Sequence, residues 1–582
     1  MRKYLKLHFH HFIVLATLLS LAFIVYGKLL QFGLYIDDWY NLSKIPEDIF
    51  GAPFTYLKDI FISPYGGKVW FFTIIRIFFG YQSFYYYLVS LLTRIFAAWT
   101  VYLLVLKLFE KKQVAFLAAV YYLVSYNGWW GLMTENMNAS VGLGLMNIGL
   151  VISLNLHQKK ESFKKYLTMM ILFFISLAIT PIRMPGLLLI YPLMELLFTF
   201  LKKESLKRSF LHTVLLAFVV FLVWRMGFFR AEGSAGLITY DFASVVSKFL
   251  QRDWISEAAY FLTDVFNSLI PLQLGLPLNK FYDWITFSGL KPISFLVLFL
   301  PILILNLILH KLAKDFKLHI FTVFWLIFLL IVSVQSSIPN AIISSASLGL
   351  LLVLLIVEFG YLKILKGKQE GYYIFWLISW LFLFSIIYHF HHGGFFIESR
   401  SRYMVVHQEA SAILITYVFF NLGLLLANFI SKLKYTLKFS YKELVPTLLL
   451  IPLMMLNIKA LQKDFIFAGE SGLYDKYIMR NYQFVEDELM KSRITTPPLI
   501  FLIYDDNSFV ANSIGGGGQE RFYLFNHRTS QKFLVQFVYS WIELEDYVFN
   551  KKIPIENVFA FKIKNREIST KTENIRKILN QI

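Results

Sequence analysis

The chain contains no cysteine. That excludes thiol catalysis, thiolate metal centres and disulfides, and it leaves the redox state of the surroundings undefined. Charge is scarce as well: Asp, Glu, Lys and Arg make up 16% of 582 residues, against about 25% in an average soluble domain. The scarcity is uneven, with 37 acidic and 56 basic residues and a net charge of +19. A small-x-small cleavage site is missing after the basic start Met1-Arg2-Lys3-Tyr4-Leu5-Lys6. The apolar run that follows is also too long for a signal peptide, so it reads as an uncleaved first span.

What fills the chain is apolar: 57% hydrophobic and 18% aromatic residues, with a mean hydropathy of +0.59. Apolar runs of the length that crosses a hydrocarbon core recur through residues 1–460, which predicts an α-helical polytopic membrane protein of about 13 transmembrane helices. The basic excess suggests nucleic acid until its location is considered. Residues 461–582 hold 16 basic and 15 acidic side chains, so nearly all of the excess lies between the spans. Placing the N-terminus in the cytoplasm makes every inner loop basic. These loops carry Lys107, Lys111 and Lys112; Lys159, Lys160, Lys164 and Lys165; Lys202, Lys203, Lys207 and Arg208. Further along come Lys311, Lys314 and Lys317; Lys363, Lys366 and Lys368; and Lys432, Lys434, Lys438 and Lys442. The outer loops are mixed or acidic, which is the positive-inside distribution of a multi-pass protein in the plasma membrane. A nucleic-acid partner is therefore not expected, and the bilayer is.

This alternation divides the chain into a transmembrane module, 1–460, and an extracytoplasmic C-terminal domain, 461–582. The outer loops of the module are 35–80, 229–290 and 389–408. Segments 43–62 and 240–270 carry helical apolar stripes suited to the interface plane, or to capping the bundle. In the C-terminal domain the apolar runs 499–504, 522–525 and 558–563 read as strands and 474–491 as a helix, an α/β composition. A second apolar run, about 83–106, follows the first outer loop, and a short third covers about 113–127.

Tyr35-Ile36-Asp37-Asp38-Trp39-Tyr40 lies just beyond the first apolar run. Two adjacent carboxylates between aromatics at a span exit can act as general base, metal ligand or proton sink, or be an ordinary solvated loop pair. Glu398-Ser399-Arg400-Ser401-Arg402-Tyr403 breaks the outer loops' avoidance of basic residues. Arginine's planar fork binds phosphate bidentately; the plainer alternative is a snorkelling interfacial pair. Glu135, in Thr134-Glu135-Asn136-Met137-Asn138, is a second acid between spans, beside Asn136 or Asn138 as helix caps. Arg183 stands between Pro181 and Pro185 near bilayer depth. His391 and His392 precede Gly393-Gly394, where an acceptor or phosphate contact is expected rather than a metal. In the C-terminal domain, Asp505-Asp506-Asn507 reads as a polar strand-end turn and Gly515–Gly518 as a flexible loop, since no Lys-Ser/Thr follows to make a P-loop.

An acidic pair a few residues past the first span resembles the signature of GT-C glycosyltransferases, polytopic enzymes that take sugars from polyprenyl-phosphate donors. The resemblance covers residues 1–460 in span order and loop size, and is similar to bacterial mannosyl- and arabinosyltransferases of the class. It implies a hexosyl- or pentosyltransferase acting with inversion, with Asp37 or Asp38 as catalytic base (Asp37 is favoured). It implies donor-phosphate binding by Arg402, with Arg400 and Arg183 as further candidates. Glu135 resembles the class's second acidic position, which serves an acceptor or, in metal-using members, a divalent ion; no residue here requires a metal or other cofactor. Lys68-Val69-Trp70 stands where related members show Arg-Pro-Leu, and Lys68 substitutes a point charge for a fork. The acceptor is expected to be a glycan, lipid or protein of the cell envelope. Two alternatives accompany this reading: a lipid-linked glycan polymerase or ligase, and a non-enzymatic transporter or flippase. A transporter calls for charges buried within spans and for repeated halves, and the sequence suggests neither.

Overall fold

The computed structural model describes residues 2–43, 45, 66–126, 134, 137–157, 162–180, 184, 186–202, 206–225, 268–269, 340–392, 406–432, 441–491, 497–504, 510, 514, 535–564 and 566–582. The chain forms a helical bundle joined to a small four-stranded sheet. Helix α1 (Arg2–Tyr26) runs on into a 3-10 turn (Gly27–Gln31), and the short α2 (Ile36–Ser43) follows. Then come α3 (Gly66–Phe79), α4 (Ser83–Phe109), α5 (Lys112–Val124), α6 (Met137–Leu156) and α7 (Phe163–Ile179). Helices α8 (Leu187–Lys202), α9 (Leu206–Arg225), α10 (Asn340–Leu365), α11 (Glu370–His392), α12 (His407–Lys432) and α13 (Tyr441–Ala468) follow among the described residues of the bundle.

Among the described residues, six stretches are long and apolar enough to cross a membrane: Phe9–Gln31, Ser83–Phe109, Met137–Leu156, Leu206–Val223, Gln408–Asn428 and Leu444–Leu473. Their outward faces carry large exposed apolar side chains, Phe12, Ile24, Phe210 and Leu448 among them, as a lipid-facing surface requires. The expected short third span is the 13-residue α5, about 20 Å at 1.5 Å per residue, less than a hydrocarbon core. It tolerates that length because it is enclosed by protein: Val114, Ala118, Tyr122 and Val124 are fully buried, and beyond its end Tyr126 N–H donates to Asn457 Oδ1 at 3.1 Å. Backbone polar groups at membrane depth are acceptable where such partners exist.

Small residues let these helices approach. On α6, a side chain at Gly144 would run into the Phe96 ring and one at Gly149 into Phe173, the packing by which membrane helices gain contact without a hydrophobic drive. Contrary to the sequence expectation, charged side chains are buried inside helices: Arg94, Glu195, Glu358 and Glu409 are each at most 2% exposed. Arg94 lies 4.4 Å over the Tyr122 ring and donates to the Tyr122 carbonyl at 2.9 Å. Glu409 accepts from Asn147 Nδ2 at 3.1 Å, and the same amide donates to Thr100. These pairings tie α4, α5, α6 and α12 together, and pattern alone did not reveal them because each partner comes from a different helix.

The sheet orders β2 (Gln536–Val538), β1 (Leu499–Tyr504), β3 (Val558–Lys564) and β4 (Glu567–Thr570). The first three are parallel and β4 is antiparallel to β3. The apolar run of β1 and the four apolar residues that open β3 follow from burial on both faces. The expected strand at 522–525 lies outside the described residues. Helix α14 (Asp475–Lys491) buries Ile478, Tyr482, Val485 and Leu489 along one stripe, the spacing of an amphipathic helix. Its Asn481 accepts from Ile568 N–H and donates to the Arg566 carbonyl, both at 2.9 Å, pinning the β3–β4 turn. Helices α15 (Trp541–Glu545) and α16 (Thr572–Leu579) cover the other face.

Candidate functional site

The acidic pair does not sit in a loop. Tyr35 precedes α2, which places Asp37 and Asp38 in its first turn. The Asp38 carboxylate turns back: its Oδ2 accepts the Tyr35 backbone N–H at 2.8 Å. This is half of a capping box, with an acid at the third helical position satisfying an otherwise orphaned donor. Oδ1 accepts the hydroxyl hydrogen of Thr134. With 1% exposure and both oxygens engaged, Asp38 orients α2 and couples it to the segment preceding α6. The side chain of Asp37 lies outside the described residues.

The far end of α2 is held as well. Arg76 of α3 donates to the Ile45 carbonyl at 2.8 Å and to the Leu42 carbonyl at 3.4 Å, neutralising acceptors that the helix end leaves free. The Arg76 guanidinium also lies 5.2 Å over the Tyr81 ring. Tyr81 stacks on the fully buried Trp39 at 6.3 Å, and Trp39 meets Tyr482 of α14 edge-on at 5.9 Å.

The C-terminal domain therefore closes over this segment. Gly33 N–H donates to the Leu473 carbonyl at 2.9 Å and the Gly33 carbonyl accepts from Tyr87 Oη at 3.0 Å. Phe32 packs against Tyr474 at 5.7 Å, and Ser83 Oγ donates to Asp475 Oδ1 at 3.0 Å. A Cβ at Gly33 would stand 3.0 Å from Ile478 and 3.2 Å from the Asp475 Cα, so the close approach depends on glycine.

No family model and no curated protein matches the chain. Solved structures that it is similar to include two. Both are of ArnT from Cupriavidus metallidurans, one bound to undecaprenyl phosphate and one in the apo state. The first aligns at 11% identity over 94% of this chain and 92% of that one, with a TM-score of 0.36. The second aligns at 10% identity over the same shares, with a TM-score of 0.34.

The residues flanking the other sequence candidates gather at the Asp38 end of the bundle. Thr134, bound to Asp38, is the neighbour of Glu135 in sequence. Thr180 and Met184, on either side of the Arg183 turn, are joined by a Met184 N–H to Thr180 carbonyl bond of 3.1 Å. The Thr180 hydroxyl donates to the Asn138 carbonyl at 3.0 Å. Gln408, six residues after Arg402, donates to the Tyr126 carbonyl at 3.4 Å. Asn138 lies inside the first turn of α6 and accepts only from its neighbour Ala139 N–H among the bonds that its side-chain oxygen makes here. Arg183, Arg400, Arg402 and Glu135 themselves lie outside the described residues, as do both amphipathic segments apart from Ser43, Ile45, Ser268 and Leu269. For Lys68 in α3 and for His391 and His392 at the end of α11, the described part is the backbone.

At the opposite, lysine-rich end, Glu370 binds Lys111 at 2.9 Å and Lys363 at 3.5 Å and accepts from Tyr417. Two of the lysines that set the charge alternation thus also bind α5, α10, α11 and α12 together. Sequence reasoning missed the structural partners Thr134, Arg76 and Tyr482. Thr134 was legible only as the neighbour of a candidate acid, and Tyr482 only as part of an apolar stripe.

Proposed function

We propose that this chain is an inverting membrane glycosyltransferase of the GT-C type, moving a sugar from a polyprenyl-phosphate donor to an acceptor hydroxyl. The observation that supports the reading is the engagement of Asp38 by the helix cap and by Thr134. We accordingly give the role of base to Asp37, in the same turn. In the reaction the acceptor O–H proton passes to the Asp37 carboxylate while the acceptor oxygen bonds to the anomeric carbon. The bond from that carbon to the phosphate oxygen breaks on the opposite face, and its electron pair leaves with the polyprenyl phosphate. The leaving group is already an anion, so cations rather than a strong acid stabilise it. Arg402 takes this role, with Arg400 and Arg183 beside it. Glu135, Lys68, His391 and His392 form the acceptor side.

The C-terminal domain, 461–582, faces the exterior in this reading and selects the acceptor, because its α14 closes over the segment that carries the base. The N-terminus is cytoplasmic and the membrane is the plasma membrane. The test is transfer from labelled polyprenyl-phosphate sugars by purified Asp37→Asn, Asp38→Asn and Arg402→Ala proteins. Loss of turnover in Asp37→Asn and Arg402→Ala, with normal membrane insertion, is expected. Full activity in all three would overturn the assignment. Turnover with a diphosphate-linked oligosaccharide but not with a monosaccharide donor would make it a polymerase or ligase instead.

A further inference from the structure

The bundle buries a second titratable group that the proposed transfer does not use. His157 directly follows α6, Glu195 lies in α8 and His212 in α9. All three side chains are completely enclosed. Glu195 Oε2 is 3.0 Å from His157 Nε2 and 3.0 Å from His212 Nδ1. One ligand atom from each residue falls within 4.8 Å of the others. Counting along the 20 residues of α6, the group is about 30 Å from the Asp38 end.

The orientation of His212 is the informative detail. Its Nε2 is 2.8 Å from the Tyr166 hydroxyl. Its Nδ1 faces Glu195 Oε2 at 3.0 Å, an ion-pair distance without the alignment of a good hydrogen bond. A ring N–H aimed at the carboxylate would form one, and a bare lone pair at that distance would repel it. A cation between the two atoms resolves both difficulties. Ligating histidines characteristically place their second nitrogen on a polar partner that fixes the ring, as Tyr166 does here. The His157 ring is fixed in its turn by stacking on Phe198 at 4.7 Å and 12°.

We propose that His157, Glu195 and His212 bind a divalent transition-metal ion of the zinc class, which fastens α6, α8 and α9 at the lysine-rich end. Two imidazoles and one carboxylate are a zinc ligand set, and tetrahedral arms of 2.0–2.1 Å put ligand atoms about 3.3 Å apart. The two histidine–carboxylate separations of 3.0 Å need to open by only a few tenths of an ångström, and the two imidazole nitrogens, within 4.8 Å of each other, complete the set. Ser153, whose Oγ is 3.1 Å from Glu195 Oε1, orients the carboxylate. The enclosure of the three side chains assigns the ion a structural role, independent of the sugar-transfer reading.

The full chain in detergent, stripped with a chelator, loaded with Zn2+ or Co2+ and freed of excess metal, tests this by elemental analysis. The wild type is expected to hold one ion per chain, and Glu195→Gln and His212→Ala to fall to background. Zn2+ should raise the thermal midpoint of the wild type by several degrees and leave those of the variants unmoved. Wild type without bound metal, or variants that retain it, would overturn the proposal. Where the variants do not assemble, the Co2+-loaded wild type decides. A strong visible band of tetrahedral cobalt supports the site, and its absence refutes it.

Discussion

At the scale of the residue, Asp38 is defined by what its neighbours do with it. A carboxylate that accepts a helix-start N–H and a buried hydroxyl is a positioning residue, whatever its chemistry in isolation. Asp38→Asn keeps both contacts within reach, since its amide oxygen can accept from Tyr35 N–H and its NH2 can donate to Thr134 Oγ. Asp38→Ala removes the cap, at a cost of about 0.5–2 kcal/mol. Thr134→Val takes a buried hydrogen-bond donor away from Oδ1, at about 1–3 kcal/mol. Asp37→Asn should lower turnover at least 100-fold, on the order of a general base's contribution, with the unfolding midpoint unchanged. Asp38→Asn should lose clearly less activity than Asp37→Asn, and Thr134→Val should lose stability as well as activity. Side-by-side turnover and thermal unfolding measurements check the set. Equal loss in the two Asn variants would mean that the pair works as one.

At the scale of the element, the hydrophobic pattern carried most of the helices, because lipid-facing and core-facing runs alike must be apolar over a fixed length. It also placed α14, β1 and β3. It did not reach β2 and β4, which are three and four residues long, nor α2, whose stripe is too short to show a period. The pairing of the candidate segments was equally hidden, since Asp38 and Thr134 are 96 residues apart and only the fold brings them together. His157, Glu195 and His212 escaped for the same reason, each coming from a different part of the chain. The contact between α14 and the start of the chain is open to a direct test at Gly33. Gly33→Val would press into Ile478 and Asp475, whereas Gly27 has nothing within 4 Å of its added Cβ. Overpacking of this kind costs about 1–3 kcal/mol. Hydrogen exchange should therefore accelerate across 473–482 and 34–43 in Gly33→Val and stay at the wild-type rate in Gly27→Val. Unchanged exchange in both variants would show that the domain closure does not depend on this approach.

At the scale of the whole molecule, two ends of the bundle differ in kind. One gathers the acidic pair, Thr134, the turn at 180–184, the start of α12 and the C-terminal domain. The other holds the lysine network around Glu370. In the proposed orientation the lysine end lies in the cytoplasm, in keeping with the positive-inside distribution, and the docking of α14 on Trp39 then puts the C-terminal domain on the same side as the acidic pair. A chain without cysteine is a natural background for testing this. Glu573, on the exposed face of α16, and Lys366, beyond α10, are both open to solvent. In intact cells a membrane-impermeant maleimide should label Glu573→Cys at once and Lys366→Cys only after permeabilisation. The reverse pattern would invert the bundle and place the candidate base in the cytoplasm, where a donor carried on the outer leaflet cannot reach it. Labelling of both from one side would break the alternation itself, because the Glu370 network fixes Lys363, and with it the end of α10, at the face opposite the sheet.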